Sequence, residues 1–267
     1  MTDWLELCRA AVADVDVVLA RLPTRAEREP VVGEGRGGDE TTAIDRAAEE
    51  AILERIREAA GAVVSEEIGR FGGDALPLVV VDPIDGSLNA KRGIPFFSLS
   101  IAVAEGEAMD DVVFGFVHDF GSHEEWTARR GEGAWLDDEP LGAERPKNEI
   151  EIHTAEATRT SLVARDAPKV AALAHRLRIM GSLALSLCHL AAGRVDAVCS
   201  LKPARSVDIA AAQLLCREVR LAIELFDVEE PFGAAPLDLE QRSRIAAAGS
   251  EETCLRLAEA LSRTEAA

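Results

Sequence analysis

The chain has 267 residues, 48% of them hydrophobic, enough for a substantial core and incompatible with a disordered protein. With 29 Lys and Arg against 48 Asp and Glu, its net charge of −19 repels nucleic acid and anionic membrane surfaces, which excludes both as expected partners. The five cysteines (Cys8, Cys188, Cys199, Cys216, Cys254) are odd in number and form no C-x-x-C pair, so they read as reduced core thiols of a cytoplasmic protein.

Residues 1 to 22 read as an amphipathic helix ending near Pro23. Asp14 and Asp16 inside its apolar run, and the lack of a basic leader, argue against a signal peptide. No run reaches the length of a membrane span. PVVGEGRGGDE, residues 30 to 40, is glycine-rich and reads as a mobile segment. A helix follows over 42–60, with Ile44, Ala48, Ile52 and Ile56 on one face and Gly61 closing it. AVVSEE and LPLVVVD read as strands; FFSLSIAVAEG, VVFGFVHD and HEEWTARR alternate as antiparallel strands with one buried face do. GEGAWLDDEPL reads as a hairpin. From residue 150 the character changes: helices over 167–177, 183–192, 207–218 and 251–263 alternate with the strands RIM, VDAVCSL, LAIELF and RIAAAGS. The expected organisation is an α+β lobe, 1–150, followed by an α/β lobe, 151–267, with sheets and helices in layers.

Gly33, Gly35 and Gly38 match G-x-G-x-x-G ahead of a helix, which brings in a dinucleotide-binding oxidoreductase as a rival from a different class. A pyrophosphate needs the helix N-terminus free for its own charge, yet Asp39 and Glu40 stand there. The strand before the loop is also only two or three residues long, so a flexible lid is the preferred reading.

Five acids end or open apolar segments: Asp45, Glu66, Asp82, Asp85 and Asp208. Each has an ordinary reading on its own. Asp-Pro and Asp-Gly are turn chemistry, Asp208 suits an N-cap, and Glu66 suits a solvated surface. Together, with no histidine or cysteine cluster among them, they suit a hard, oxygen-seeking ion such as Mg²⁺. Two such ions about 3.5–4 Å apart clamp the attacking and leaving oxygens of a phosphoryl transfer. Shared ions would explain why Asp82 and Asp85 stand side by side, and the Gly86–Ser87 turn offers amides to a phosphate.

VVVDPIDGSLNAKRGIPFFSLSIAV, with SEE upstream and SVDIAAA downstream, resembles the inositol monophosphatase family of Mg²⁺-dependent, lithium-sensitive phosphomonoesterases. Of the family's two signatures, D-P-[IL]-D-G-[ST] is complete, whereas W-D-x-A-[AG] is degraded, with Val207 in place of tryptophan. The resemblance implies a layered αβαβα sandwich with the active site between two lobes, two to three Mg²⁺ ions, and a homodimer. By position it implies Glu66, Asp82, the carbonyl of Ile84, Asp85 and Asp208 as metal ligands, with Asp82 bridging. It places phosphate on the amides of Gly86 and Ser87, and a water-orienting pair on Ser87 and Asp45; Glu66, Asp45 and Ser87 are thus the catalytic group. The segment 33–38 matches a mobile loop closing with the third ion.

Gly181, Ser182 and Leu183 match the family's substrate-contact turn, although Gly-Ser before a helix is also a simple cap, and Asp85 is a further substrate contact. Members that prefer inositol phosphates carry a glutamate where this chain has Leu201, with Lys202 and Arg205 nearby. That neighbourhood is more similar to archaeal-type members that hydrolyse both inositol phosphates and fructose 1,6-bisphosphate, with Arg205 on a second phosphate. The same two cations also read as solvated loop charges. A 3′(2′),5′-bisphosphate nucleotidase or an NADP phosphatase is the alternative within the family.

Overall fold

Strand parity sorts the side chains into layers. The computed structural model describes residues 2–38, 40–157 and 159–263; Asp39, invoked above, lies outside them. Helix α1 (Trp4–Arg21) begins at Asp3, whose carboxylate accepts the Glu6 amide, and buries Cys8, Ala11 and Val15. After α2 (Arg25–Arg28), β1 (Val31–Glu34) and β2 (Glu40–Thr42) comes α3 (Ala43–Ile56), which buries the predicted face of Ile44, Ala48, Ile52 and Ile56. The chain continues through β3 (Ala62–Ser65), β4 (Gly69–Phe71), β5 (Leu78–Asp85), α4 (Ser87–Arg92), β6 (Ser98–Ala104), β7 (Val112–Asp119), β8 (Glu125–Arg129), β9 (Gly133–Leu136) and β10 (Glu139–Pro140). Strands β3 to β10 form one sheet in the order β10-β9-β8-β7-β6-β5-β3-β4, with β3 and β5 parallel. Asp137 and Asp138, both at positive φ, make the tight turn of the β9–β10 hairpin.

The second sheet is built from β11 (Ile150–Glu156), α5 (Thr160–Val170), β12 (Ala174–Arg178), α6 (Leu183–Ala191), β13 (Ala197–Ser200), α7 (Ser206–Glu218), β14 (Ala222–Leu225), β15 (Ile245–Ala248) and α8 (Glu251–Ser262). Its strand order is β12-β11-β13-β15-β14, with β12, β11 and β13 parallel.

The expected helix over 167–177 is corrected here. Helix α5 ends at Val170, and AHRLR runs as edge strand β12 against β11. Four of its five side chains are exposed, so no apolar alternation marks it; backbone pairing with β11 decides its conformation. The strand expected at RIM accordingly stops at Arg178.

On β5, Val79 and Val81 face α1 and α3, while Leu78 and Val80 face α6 and α7. On β13, Val198 joins that middle layer, whereas Ala197 and Cys199 turn to α5 and α8. The result is an αβαβα sandwich. Each fully buried valine contributes roughly 1.5–3 kcal/mol relative to exposure, so Val80→Asp alone would break the middle layer. The alanine-rich α7 lies against β7 so closely that a Cβ at Gly115 would meet the carbonyl oxygen of Ala211 at 2.6 Å.

The glycine-rich segment is an antiparallel hairpin, β1 with β2, outside both large sheets. Its turn is held by Arg36 N–H donating to the Glu67 carbonyl (2.9 Å) and Gly37 N–H donating to the Glu66 carbonyl (2.8 Å). A dinucleotide fold needs the glycine loop between a sheet strand and its crossover helix, which this ribbon does not provide, so the oxidoreductase reading through Gly33, Gly35 and Gly38 falls.

Candidate active site

The D-P-I-D stretch ends β5 with a break in its register against β6, where Asp82 pairs with Ser100 and Asp85 with Ser98. Residues three apart on a regular strand point to opposite faces. The extra residue resets that alternation, and both carboxylates then reach one cleft. Asp82 also accepts the Ile84 amide at 3.1 Å. Gly86 follows at φ 90, where a Cβ would press on the Gly181 and Phe96 carbonyls at 3.1 Å, so glycine is required to start α4.

The cleft, about 480 Å³, lies where both sheets and the middle helices end. Asp45, Glu66, Asp82, Ile84, Asp85, Gly86, Ser87, Gly181, Leu183, Arg205 and Asp208 all line it. Ser182 does not. It is 1% exposed, and its hydroxyl donates to Asp85 at 2.5 Å while accepting the Leu185 amide at 3.2 Å as the cap of α6. The cap geometry turns this expected substrate contact toward Asp85, which also accepts the Ala184 amide at 2.7 Å.

Arg205 also turns inward. Its Nη2 lies 2.6 Å from Glu66 and 2.9 Å from Asp208, and its side chain is 7% exposed. It pairs within the acid cluster of the cleft it lines, because buried carboxylates attract the nearest cation. Among the described residues no three of the His, Cys, Asp and Glu side chains close into a ready metal cage.

Burial pushes Asp82 well above the usual carboxylate range, reinforced by Glu66, Asp85 and Asp208. It pushes Asp85 up to about 7, partly opposed by the Ser182 hydrogen bond. Glu66 is raised by burial against the pull of Arg205, and Glu67 rises to about 7, again by burial. Burial opposes the charge on Arg205, but Asp208 and Glu66 outweigh it and hold the guanidinium protonated. Asp45 Oδ2 accepts from the Thr42 amide (3.1 Å) and hydroxyl (2.6 Å) and lies 3.4 Å from Lys91 Nζ. Its Oδ1 is buried without a hydrogen-bond partner.

Sequence reasoning passed over Glu156. It ends β11 and accepts from Gly181 N (2.7 Å), Met180 N (3.3 Å) and Ser186 Oγ (2.7 Å), which holds the 180–183 turn over the cleft. Its signal was the one used for the other acids, a carboxylate closing an apolar strand. Lys91, on the far end of α4, had no comparable signal.

A cleft walled by oxygen donors at the shared edge of an αβαβα sandwich, with a glycine turn and free helix-start amides beside it, defines a phosphate monoester hydrolase. A profile of the Inositol monophosphatase family matches residues 4–265, and the chain belongs to that family. It is 32% identical over 253 residues to the fructose-1,6-bisphosphatase/inositol-1-monophosphatase of Archaeoglobus fulgidus, covering 93% of this chain and 94% of that one. The solved structure of an inositol monophosphatase–fructose 1,6 bisphosphatase superposes with a TM-score of 0.86 at 27% identity, covering 97% of this chain and 100% of that one. A bifunctional NADP phosphatase/NAD kinase of Methanocaldococcus jannaschii is 29% identical over 254 residues, 81% of this chain and 43% of that protein. No described helix is long and apolar enough to cross a membrane.

Proposed function

We propose that the chain hydrolyses small phosphate monoesters with Mg²⁺, and that inositol 1-phosphate and fructose 1,6-bisphosphate are its substrates. The observation that carries this reading is the convergence of Glu66, Asp82, Asp85 and Asp208 on the cleft that also receives Gly86 and Ser87. The donor set fits the ion. All donors are oxygens, burial and neighbouring acids push Asp82 and Asp85 toward protonation, and Arg205 already places a cation among them. Glu66, Asp82, Asp85, Asp208 and the Ile84 carbonyl would hold two to three ions, in competition with the Arg205 guanidinium. When bound, the ions supply positive charge to the phosphoryl oxygens and acidify a water.

The chain's own groups do the rest. The first amides of α4 have no acceptor within the helix and face the phosphate. Asp45 has one oxygen engaged by Thr42 and Lys91, which leaves Oδ1 to accept a proton from Ser87 or from the attacking water. As the water oxygen bonds to phosphorus and its proton passes to Asp45, the ester P–O bond breaks and the leaving oxygen takes a proton from solvent, which gives phosphate and the free alcohol. Glu156 keeps Gly181 and Leu183 against the substrate body.

Phosphate release from inositol 1-phosphate, fructose 1,6-bisphosphate, adenosine 3′,5′-bisphosphate and NADP, with and without Mg²⁺, tests the reading. Turnover of the first two that vanishes in EDTA supports it. Turnover confined to the nucleotides would move the substrate to the nucleotidase or NADP phosphatase alternative, for which the Methanocaldococcus relative speaks.

A further inference from the structure

On the α5 and α8 side of the second sheet lies another concavity, of about 730 Å³. Six cations line it: Arg159, Arg165, Lys169, Lys202, Arg244 and Arg263. Lys202 also borders the catalytic cleft and is left out of the count that follows. The remaining five face two carboxylates: Asp166, which pairs with Arg165 (2.5 Å) and Lys169 (3.0 Å), and Asp227, which pairs with Arg244 (2.7 Å). Lys169 and Arg244 further converge on the carbonyl of Leu261, at 3.3 and 3.4 Å, where α8 ends. Arg159 and Arg263 are exposed and have no ion-pair partner among the described residues. Among the described residues, five cations less two acids leave three charges in surplus in one hollow of a chain whose net charge is −19. Like charges repel when gathered without a counter-ion, so such a hollow concentrates positive potential for an anion.

In the order β12-β11-β13-β15-β14, α5 carries the chain from β11 to β12 on one side, while α7 carries it from β13 to β14 on the other. The carboxyl ends of β11 and β13, through Glu156, Ala157 and Ser200, line the catalytic cleft, and the hollow shares Lys202 and Pro203 with it. Arg159 follows β11 and Lys202 follows β13. The eleven-residue α5 adds its first turn, at Ser161, to the wall. Leu162 and Leu201 give the hollow an apolar floor beside the charges.

We infer that this hollow is a second anion site, separate from the catalytic cleft, which takes a diphosphate-bearing ligand. Three surplus charges exceed what a lone carboxylate or sulfate needs, and arginine guanidinium groups engage phosphate oxygens in bidentate fashion. The inference does not depend on the catalytic reading.

Isothermal titration with inorganic pyrophosphate in EDTA isolates the site, because the metal-free catalytic acids repel anions. One saturable site per chain is expected, unchanged by Asp82→Asn and weakened by about tenfold or more in Arg159→Glu/Arg263→Glu. The same double variant should hydrolyse monophosphates at the unaltered rate, which shows that it is folded. If charge reversal prevents folding, Arg159→Gln/Arg263→Gln replaces it, and a several-fold weakening is expected. Absence of saturable binding overturns the site. So does affinity that the arginine variants leave untouched and Asp82→Asn increases, since the anion then sits among the catalytic acids.

Discussion

Arg205 and Glu66 form a buried ion pair, Nη2 to Oε1 at 2.6 Å, with side chains 7% and 14% exposed, although Glu66 follows β3 of the first sheet and Arg205 precedes α7. The guanidinium thus supplies in the metal-free protein the positive charge that the acids need. Breaking a buried pair by removing one partner costs about 3–5 kcal/mol. Arg205→Gln should therefore lower the melting temperature in EDTA by roughly 6–15 °C. Millimolar Mg²⁺ should restore much of that loss and should half-saturate the variant at lower concentration than the wild type. Calorimetric melts across a Mg²⁺ series check this; a variant whose melt ignores Mg²⁺ would remove the competition argument.

Asp82→Asn takes away the carboxylate at the centre of the cluster. Phosphate release should fall by more than ~10³-fold at saturating Mg²⁺. The metal-free protein should become more stable, because burial and three neighbouring acids all oppose the charge that is lost. A loss of activity under tenfold would refute the proposed role of the cluster.

Ser87→Ala should lower kcat with little change in KM, since an oriented proton acceptor matters most in the transition state. Asp45→Asn should act alike, and the double variant should be scarcely worse than either single one. A raised KM with unchanged kcat would reduce Ser87 to a phosphate contact.

Ser182→Ala removes a hydrogen bond to Asp85 and the cap of α6 at once. The Mg²⁺ concentration for half-maximal activity should rise several-fold while the KM for substrate stays near its starting value. Ser182→Thr, which keeps the hydroxyl, should recover most of the metal affinity. Activity titrated with Mg²⁺ for the three proteins separates this positioning role from a direct substrate contact, which would move KM instead.

His153 lies fully buried in β11, with Nε2 3.2 Å from Cys199 Sγ, and burial holds its pKa down from 6.5 to about 4. Below 6.5 the unfolded chain takes up a proton that the folded one refuses, so stability is full above that pH and is lost as pH falls toward 4. Between pH 7 and 4.5 the wild type should lose roughly 2–3 kcal/mol more than His153→Gln in urea denaturation. Equal pH dependence in the two proteins would show that the imidazole is solvated.

Helices α3, α6, α7 and α8 and the apolar strands were legible in the sequence because their side chains carry the period of the buried face they present. The D-P-I-D-G-S stretch likewise announced a site, since proline and paired aspartates cannot continue a buried strand without a purpose. Edge strand β12 and the β1–β2 ribbon were not legible, because backbone pairing with a distant partner holds them rather than their own side-chain pattern. The site acids could be named one by one, each with an ordinary alternative. Only the tertiary structure decided that the break in β5 aims Asp82 and Asp85 into one cleft, and that Ser182 faces Asp85. Only it decided that Arg205 enters the cluster to meet Glu66, across 139 positions of chain (205 − 66). Side-chain direction and charge pairing over such separations arise from packing between layers, and no local pattern encodes them.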